Sequence, residues 1–301
     1  MSTLGNNPTS YFSTPANTLD PKLFQGRVLQ GWVRQGIRSL VTDFLGQKFR
    51  HADLWSYPWL AGSGVSYQWS ANRQPGDLDC LVGVDFIQFR KANPEYQGLS
   101  DGEIAALIND DFKSELDPKT ENWNGYELTF YVNPQGTDIK NIRPYAAYDL
   151  KHDEWTVVPD PQQKAPYKPE WDTAIRSDAN LANQASTRFT QALQDVSTSQ
   201  SQPLRRNAEA RLSAAADQAL SLYEDIHRGR SLAFSKTGEG YADFHNYRWQ
   251  AAKRSGTVQT LRKIKQYVEK NSEQESVKNY GVTLPDTSTL VRRAATYRQG
   301  N

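Results

Sequence analysis

A proline-rich segment divides this sequence into two parts whose apolar residues follow different spacings. The segment VVPDPQQKAPYKPE contains four prolines, Pro159, Pro161, Pro166 and Pro169. Proline interrupts helices and strands alike, so such a segment is typical of a linker. Strand-like alternation occurs before it and helical spacing follows it. We therefore expect an α+β domain over residues 20–160, a linker over 161–170 and an all-α helical domain over 171–301.

The first part contains signals for both helices and strands. Asp20 followed by Pro21 is a favourable helix start, and the apolar spacing then predicts a long amphipathic helix over residues 21–47. The pattern predicts strands in LWSYPWLAGS, DLDCLVGVDFIQF and YELTFYVNP, and a hairpin in YAAYDLKHDEWTVVP that turns at residues 151–153. A Ser-x-x-Glu capping box at Ser100 predicts a short helix over 100–116. Beyond the linker, the spacing predicts helices only.

Composition excludes several classes of protein. No stretch approaches the roughly 20 apolar residues needed to span a bilayer, so we expect no membrane partner. We expect residues 1–19 to form a polar, flexible leader, since this segment shows no basic region followed by an apolar run as a secretory signal does. The single cysteine, Cys80, excludes an internal disulfide and a cysteine-based zinc site. These features favour a reducing, cytoplasmic setting.

Charge is distributed unevenly between the two parts. Residues 1–165 contain 15 basic and 20 acidic side chains (net −5), whereas residues 166–301 contain 20 and 14 (net +6). Such a division suggests that one part binds cations and the other binds phosphates. Chance variation in surface composition explains an asymmetry of this size equally well.

Two acids occur one residue apart in an otherwise apolar strand. Asp77 and Asp79 leave the same face of this strand, about 6–7 Å apart along the backbone, while Leu78 and Cys80 point toward the core. Like charges this close repel, and a divalent cation between them removes the repulsion. Glu127 is the best third acid, because the apolar residues of YELTFYV lie on the opposite face of its strand.

These residues resemble the signature of the DNA-polymerase-beta-type nucleotidyltransferase superfamily. The matching order is a helix, a strand that ends in Gly62-Ser63, a second strand with Asp77 and Asp79, and Glu127 on a later strand. The resemblance covers roughly residues 20–135. It implies a small mixed sheet with flanking helices and a catalytic requirement for Mg²⁺ or Mn²⁺. It also implies transfer of a nucleoside monophosphate from a nucleoside triphosphate to an acceptor hydroxyl, with release of pyrophosphate.

The resemblance assigns a role to each residue of this motif. Asp77 and Asp79 would hold both ions, and Glu127 mainly the ion that activates the acceptor. Ser63 and the amide groups of the glycine turn would bind the terminal phosphates, and Gly64 would let those phosphates approach closely. The alternative interpretation of the paired acids is a solvated acidic strand edge.

The second part contains a segment rich in cations and aromatic residues, DIHRGRSLAFSKTGEGYADFHNYRWQAAKRSG. Interleaved cations and rings can bind a triphosphate or stack on single-stranded RNA. We expect Lys236, Arg248 or Lys253 to contact phosphate. The structural alternative is that the rings belong to a helical core and the cations to a solvated face.

Two functions from different classes remain open on the sequence alone. The leading one is a metal-dependent nucleotidyltransferase whose acceptor is an RNA end, a nucleotide or a protein hydroxyl. The alternative is a non-catalytic nucleic-acid-binding or interaction protein on the same fold. Paired acids at residues 77 and 79 favour the enzyme, because a degenerate site has no reason to retain them.

Overall fold

The structure is a computed structural model that describes residues 16–69, 75–163, 167–235, 237–280 and 289–292. The described chain forms two compact units. One contains residues 16–163 and 289–292 and has a mixed α+β architecture, and the other contains residues 167–280 and is helical. Most of the expected leader and part of the expected linker lie outside the described residues.

The α+β unit begins with a hairpin where the sequence predicts a helix. Strands β1 (Phe24–Gln25) and β2 (Val28–Leu29) pair antiparallel, and helix α1 starts only afterwards, at Gly31–Lys48. Gly26 permits the turn because its φ is +65°. The Asp20 side chain accepts bonds from the Lys22 amide and the Tyr126 hydroxyl. The prediction of a helix beginning at Asp20-Pro21 is therefore wrong.

The strands predicted after α1 are present and form one sheet, but the strand predicted over DLDCLVGVDFIQF ends at Val84. Its last residues belong to a helix over Phe86–Ala92, because the Asp85 side chain caps the first turn of that helix. The order of the sheet is β5-β4-β3-β6-β7, with β4 and β5 parallel and the other neighbours antiparallel. The elements of this region are α2 (Ala52–Trp55), β3 (Ser56–Ala61), β4 (Gly76–Val84), α3 (Phe86–Ala92), α4 (Asp101–Asp111), β5 (Tyr126–Val132), β6 (Ala147–Asp149) and β7 (Glu154–Val157). The predicted capping box at Ser100 and Glu103 is confirmed, as is the hairpin turn between β6 and β7.

One face of the central strands is apolar and packs into the core of this unit. Leu78, Cys80 and Val82 of β4 are fully buried together with Val33, Ile37 and Val41 of α1. The β5 residues Leu128, Phe130 and Val132 join the same cluster. The other face of β4 and β5 therefore carries the polar residues.

Strand β5 forms the edge of the sheet, and the segment before it covers that edge. The amide of Leu128 donates to the Thr120 carbonyl at 3.0 Å, and the amide of Phe130 donates to Oδ1 of Asp117 at 3.1 Å. The Val132 amide donates to Oδ1 of Asn109 at 2.7 Å. These bonds satisfy the outward amides of an edge strand that would otherwise pair with other chains. The edge is therefore closed, and the polar face stays accessible.

The second unit consists of helices α5 (Trp171–Thr198), α6 (Gln202–Ala233), α7 (Phe244–Arg254) and α8 (Thr257–Tyr280). Alanines line the contact between α5 and α6, among them Ala182, Ala185, Ala215 and Ala219, which are all buried. Small side chains let two helix backbones approach closely, so this pair packs along its length. No helix in the described parts of the chain is long and apolar enough to cross a membrane.

Residues 289–292 belong to the α+β unit, although the expected helical domain extends to residue 301. The reason is a set of contacts made by Arg292. Its guanidinium pairs with the buried carboxylate of Asp111 and lies over the Phe49 ring at 5.0 Å. Val291 packs against the same apolar core.

Candidate active site

The polar face of β4 presents the two predicted acids. Asp77 and Asp79 are half-buried, whereas Leu78 and Cys80 between and beside them are fully buried. Alternation along a strand thus directs both carboxylates away from the core. Burial, followed by the nearby charges of Asp79 and Asp117, raises the pKa of the Cys80 thiol, which keeps this cysteine protonated.

Glu127 lies on the same face of the sheet as the paired acids. In the parallel pairing of β4 with β5, Asp77 is opposite Glu127 and Asp79 is opposite Thr129. Residues directly opposite each other on neighbouring strands project to the same side. Glu127 is exposed, and its charge adds to the burial that raises the pKa of Asp117. The register therefore puts three carboxylates on one face, with Glu127 at its outer edge.

The glycine turn after β3 packs directly against these acids. Gly62 has a φ of +87°, and a Cβ atom built on it would fall 2.5 Å from Oδ2 of Asp79. A Cβ atom on Gly64 would collide with the carbonyl oxygen of Asp77. Neither position has room for a side chain. The Gly62-Ser63 turn and the Asp77–Asp79 segment therefore form one compact structure.

The turn is also fixed from its other side. The amide of Gly62 donates to the Ala146 carbonyl at 3.1 Å, so this amide is already engaged within the protein. The carbonyl of Ser63 accepts from the amide of Ser66 at 3.1 Å and from its hydroxyl at 3.0 Å. The backbone of Gly62 consequently packs closely against Asp79, and its amide does not make the phosphate contact expected from the sequence.

Tyr131 is a residue of this face that the sequence reasoning missed. Its hydroxyl donates to Oδ1 of Asp79 at 2.7 Å, and its side chain is 38% exposed. The signal was available, because Glu127, Thr129 and Tyr131 have the same parity along β5. Asp79 is thus bounded by the Tyr131 hydroxyl on one oxygen and by the Gly62 turn on the other.

The neighbouring part of the same face is covered, which confines the polar region to β4 and β5. Trp59 of β3 is buried, and its indole N–H donates to Oγ1 of Thr156 at 3.0 Å. Its ring lies against Gly83, where a Cβ atom would fall 2.5 Å from the ring and 2.9 Å from the Gly136 carbonyl oxygen. The accessible strip of this face therefore consists mainly of Asp77, Asp79, Glu127 and Tyr131.

The acids of this strip are suitable donors for a hard cation, but they are not gathered into a cage. Carboxylate oxygens are the ligands that Mg²⁺ and Mn²⁺ prefer. Among the residues that the structure describes, no three His, Cys, Asp or Glu side chains are close enough together to hold a metal ion. Asp77 and Asp79 also make further interactions within the protein.

The cations predicted to contact phosphate have different environments. Lys236 lies outside the described residues. Arg248 is engaged with two carboxylates of its own unit, at 2.6 Å and 2.8 Å to Asp178 and 2.7 Å to Asp225. The hydrogen bond to Asp178 is the main cause of its raised pKa. We therefore correct the expectation for Arg248, which links helices α5, α6 and α7. Lys253 is exposed on α7, and its contact with phosphate stays a prediction.

We compared the chain with protein-family models, with curated proteins and with solved structures, and nothing matches.

Proposed function

We propose that this protein is a metal-dependent nucleotidyltransferase with the DNA-polymerase-beta-type fold in its α+β unit. It transfers a nucleoside monophosphate from a nucleoside triphosphate to an acceptor hydroxyl on RNA, a nucleotide or a protein. The proposal includes a cytoplasmic location, which the lone cysteine supports because Cys80 is buried and unpaired.

One observation carries the proposal, namely the contact between the Gly62 turn and Asp79. A glycine turn at the end of one strand lies within van der Waals reach of an Asp-x-Asp pair on the next, although residues 64–76 separate them in the sequence. The antiparallel pairing of β3 with β4, in which Ala61 is opposite Asp79, brings these two segments of the resemblance together. Their close packing, with Glu127 opposite Asp77, supports a common site.

The residues of the strip would divide the reaction between them. Asp77, Asp79 and Glu127 would hold the divalent ions, which when bound neutralise the triphosphate and lower the pKa of the acceptor hydroxyl. Ser63 is in the turn beside them, where its side chain would contact the terminal phosphates. The acceptor oxygen bonds to the α-phosphorus, the bond from that phosphorus to the pyrophosphate oxygen breaks, and the hydroxyl proton leaves to solvent.

A non-catalytic nucleic-acid-binding protein on the same fold is the second candidate. The observation that favours it is the net charge of +6 on residues 166–301, because basic residues attract nucleic acid. This candidate requires that nucleic-acid binding be independent of Asp77 and Asp79. It also requires that no triphosphate release pyrophosphate.

The test is pyrophosphate release from each labelled triphosphate with Mg²⁺ or Mn²⁺, in the presence of cellular RNA and lysate. Asp77→Asn and Asp79→Asn should each abolish release and label transfer. The matched control is Asp85→Asn, because Asp85 directly follows the same strand and its side chain caps α3 by accepting from the Ile87 and Gln88 amides. Asparagine preserves that cap. Absence of release from every triphosphate, with RNA binding intact in both site variants, would favour the second candidate.

A further inference from the structure

One face of α6, with the residue that follows the helix, carries three rings and one cation. Tyr223, His227 and Arg230 of α6 and Phe234 directly after it follow one another at intervals of four, three and four residues, which places them on one side of the helix. Residues 223 to 234 extend about 16 Å along the helix axis. His227 is exposed, and Arg230 and Phe234 are half-buried, so much of this row is accessible within its unit.

The rings and cations of this row contact one another in sequence. The ring of His227 is stacked on Tyr223 with centroids 5.9 Å apart and meets the edge of Trp249 at 5.7 Å. At one end, Nζ of Lys265 lies 5.0 Å above the Tyr223 ring. At the other, the Arg230 guanidinium lies 5.3 Å from the Trp249 ring. The row thus packs against the Trp249 ring of α7 and the Lys265 side chain of α8.

Positive charge concentrates around His227. Burial lowers the pKa of His227, the charge of Glu224 raises it, and the charges of Lys265, Arg230 and Arg262 lower it. A lowered pKa leaves the imidazole neutral at pH 7. Three cations and one acid therefore lie near an uncharged ring, which is an excess of positive charge.

Two of these cations have no acidic partner among the described residues. Lys265 pairs with Glu224 at 3.3 Å and with Glu269 at 3.9 Å. Arg230 and Arg262 form no ion pair with any residue in the described part of the chain. Arg248 on the adjoining helix shows the contrast, because two carboxylates satisfy its guanidinium. Arg230 lies over the Trp249 and Phe234 rings, and Arg262 is exposed one helical turn before Lys265. Two guanidinium groups whose charge no described acid balances favour an anionic ligand.

We propose that Arg230 and Arg262 bind the phosphates of a single-stranded nucleic acid whose bases contact the rings of His227 and Phe234. Guanidinium groups bind phosphate oxygens in pairs, and rings stack on any base. An unpaired strand presents phosphates and bases together on one side, which a row of rings beside two guanidinium groups matches, whereas a duplex hides its bases. This site goes beyond the proposed transfer reaction, since it requires neither a triphosphate nor a metal ion.

The test is fluorescence anisotropy of a labelled uridine 12-mer with the full chain, without triphosphate or divalent ions, at several salt concentrations. Arg230→Gln and Arg262→Gln should each weaken binding about fivefold to tenfold and reduce the slope of log affinity against log salt by about 0.7. Arg230→Lys keeps the charge and should lose less than Arg230→Gln.

The matched control is Arg205→Gln, on the same helix. Arg205 is exposed and already pairs with Glu209 at 3.1 Å, so its loss changes the net charge equally but removes a guanidinium that is already engaged. Arg262 is exposed and holds no ring in place among the described residues, so Arg262→Gln separates binding from folding. The proposal is overturned if both variants bind as Arg205→Gln does, or if a duplex of equal length binds as tightly as the single strand.

Discussion

The hydroxyl of Tyr131 donates a 2.7 Å hydrogen bond to Oδ1 of Asp79, from one parallel strand to the next. A second tyrosine of the same strand, Tyr126, donates at 2.7 Å to Oδ2 of Asp20. The first bond lies on the polar face and the second on the buried face. Removal of each hydroxyl in turn therefore distinguishes a role in metal binding from a role in stability.

Removal of the Tyr131 hydroxyl should weaken metal binding without affecting the fold. In Tyr131→Phe, Asp79 loses the donor that orients one of its oxygens, and we expect Mn²⁺ affinity to fall about fivefold, equivalent to about 1 kcal/mol. Electron paramagnetic resonance of free Mn²⁺ measures this affinity without any assay of turnover. Pyrophosphate release should fall together with it.

Tyr126→Phe is the control for that experiment. Its hydroxyl is buried, and its loss leaves the Asp20 carboxylate with one donor fewer, so the free energy of unfolding should fall by about 1–2 kcal/mol. Mn²⁺ affinity should be unchanged. Equal Mn²⁺ affinities in Tyr131→Phe and the unmodified chain would show that Tyr131 does not support the metal site. Absence of Mn²⁺ binding in both would contradict the metal site itself.

A side chain at position 62 should displace the Asp79 carboxylate. Gly62→Ala places a Cβ atom 2.5 Å from Oδ2 of Asp79 and also forces a φ of +87° on a residue that resists it. We expect about 1–2 kcal/mol of destabilisation from the backbone and at least a tenfold loss of Mn²⁺ affinity.

Gly26→Ala separates the two effects of that substitution. Gly26 has a φ of +65°, and a Cβ atom at this position would have no neighbouring atom within 4 Å, so this variant suffers backbone strain alone. Chemical denaturation should show a loss of stability in both variants and a larger one in Gly62→Ala, because Gly62 has a ψ of −158° in a region that is essentially restricted to glycine. If Gly62→Ala retained normal Mn²⁺ affinity, the contact between the turn and Asp79 would not be required for metal binding.

Local alternation was sufficient to predict which face carries the acids. Each of Asp77, Asp79 and Glu127 has buried neighbours in the sequence, and a period of two residues fixes the face without knowledge of the sheet. The pairing of Asp77 with Glu127 was not predictable in the same way. It depends on the parallel direction of β5, which the long crossover between the two strands decides.

The predictions for the first helix and for Arg248 were wrong, and each error has a physical reason. Phe24 and Val28 fit a helical spacing, but a hairpin with a glycine at its turn accommodates the same residues, and the positive φ of Gly26 selects it. Arg248 lies among cations and rings in the sequence, whereas its carboxylate partner Asp178 is 70 residues away. Long-range ion pairs of this kind leave no local signal.

The Cys80 thiol should be unreactive in the folded chain. Burial raises its pKa, with smaller contributions from Asp79 and Asp117, so little thiolate exists near neutral pH. We expect a disulfide reagent at pH 8 to react on the order of a hundredfold more slowly than with the same chain in denaturant. Rapid modification of the native protein would show that β4 opens readily or that its core face is accessible.

Arg292 should contribute stability that depends on pH. Its guanidinium pairs with Asp111, whose side chain is 3% exposed and whose second cation, Lys48, lies 3.5 Å away. We expect Arg292→Gln to lower the free energy of unfolding by about 2 kcal/mol at pH 7, because a buried carboxylate loses its closest donor. Arg50→Gln is the control, since the Arg50 side chain is 64% exposed and its long pair with Glu95, at 3.9 Å, contributes little.

The sign of the pH dependence follows from the pKa of Asp111. Burial raises this pKa above its usual value, although Arg292 and Lys48 lower it. A carboxyl group with a raised folded-state pKa destabilises the protein when ionised, and this cost disappears as the pH falls through that pKa. Loss of Arg292 raises the pKa further. Urea unfolding from pH 7 to pH 4 should therefore show the deficit of Arg292→Gln shrinking toward acid, and an Asp111→Asn background should remove it. A deficit that is constant over this range would mean that Arg292 acts through the Phe49 ring rather than through the charge of Asp111.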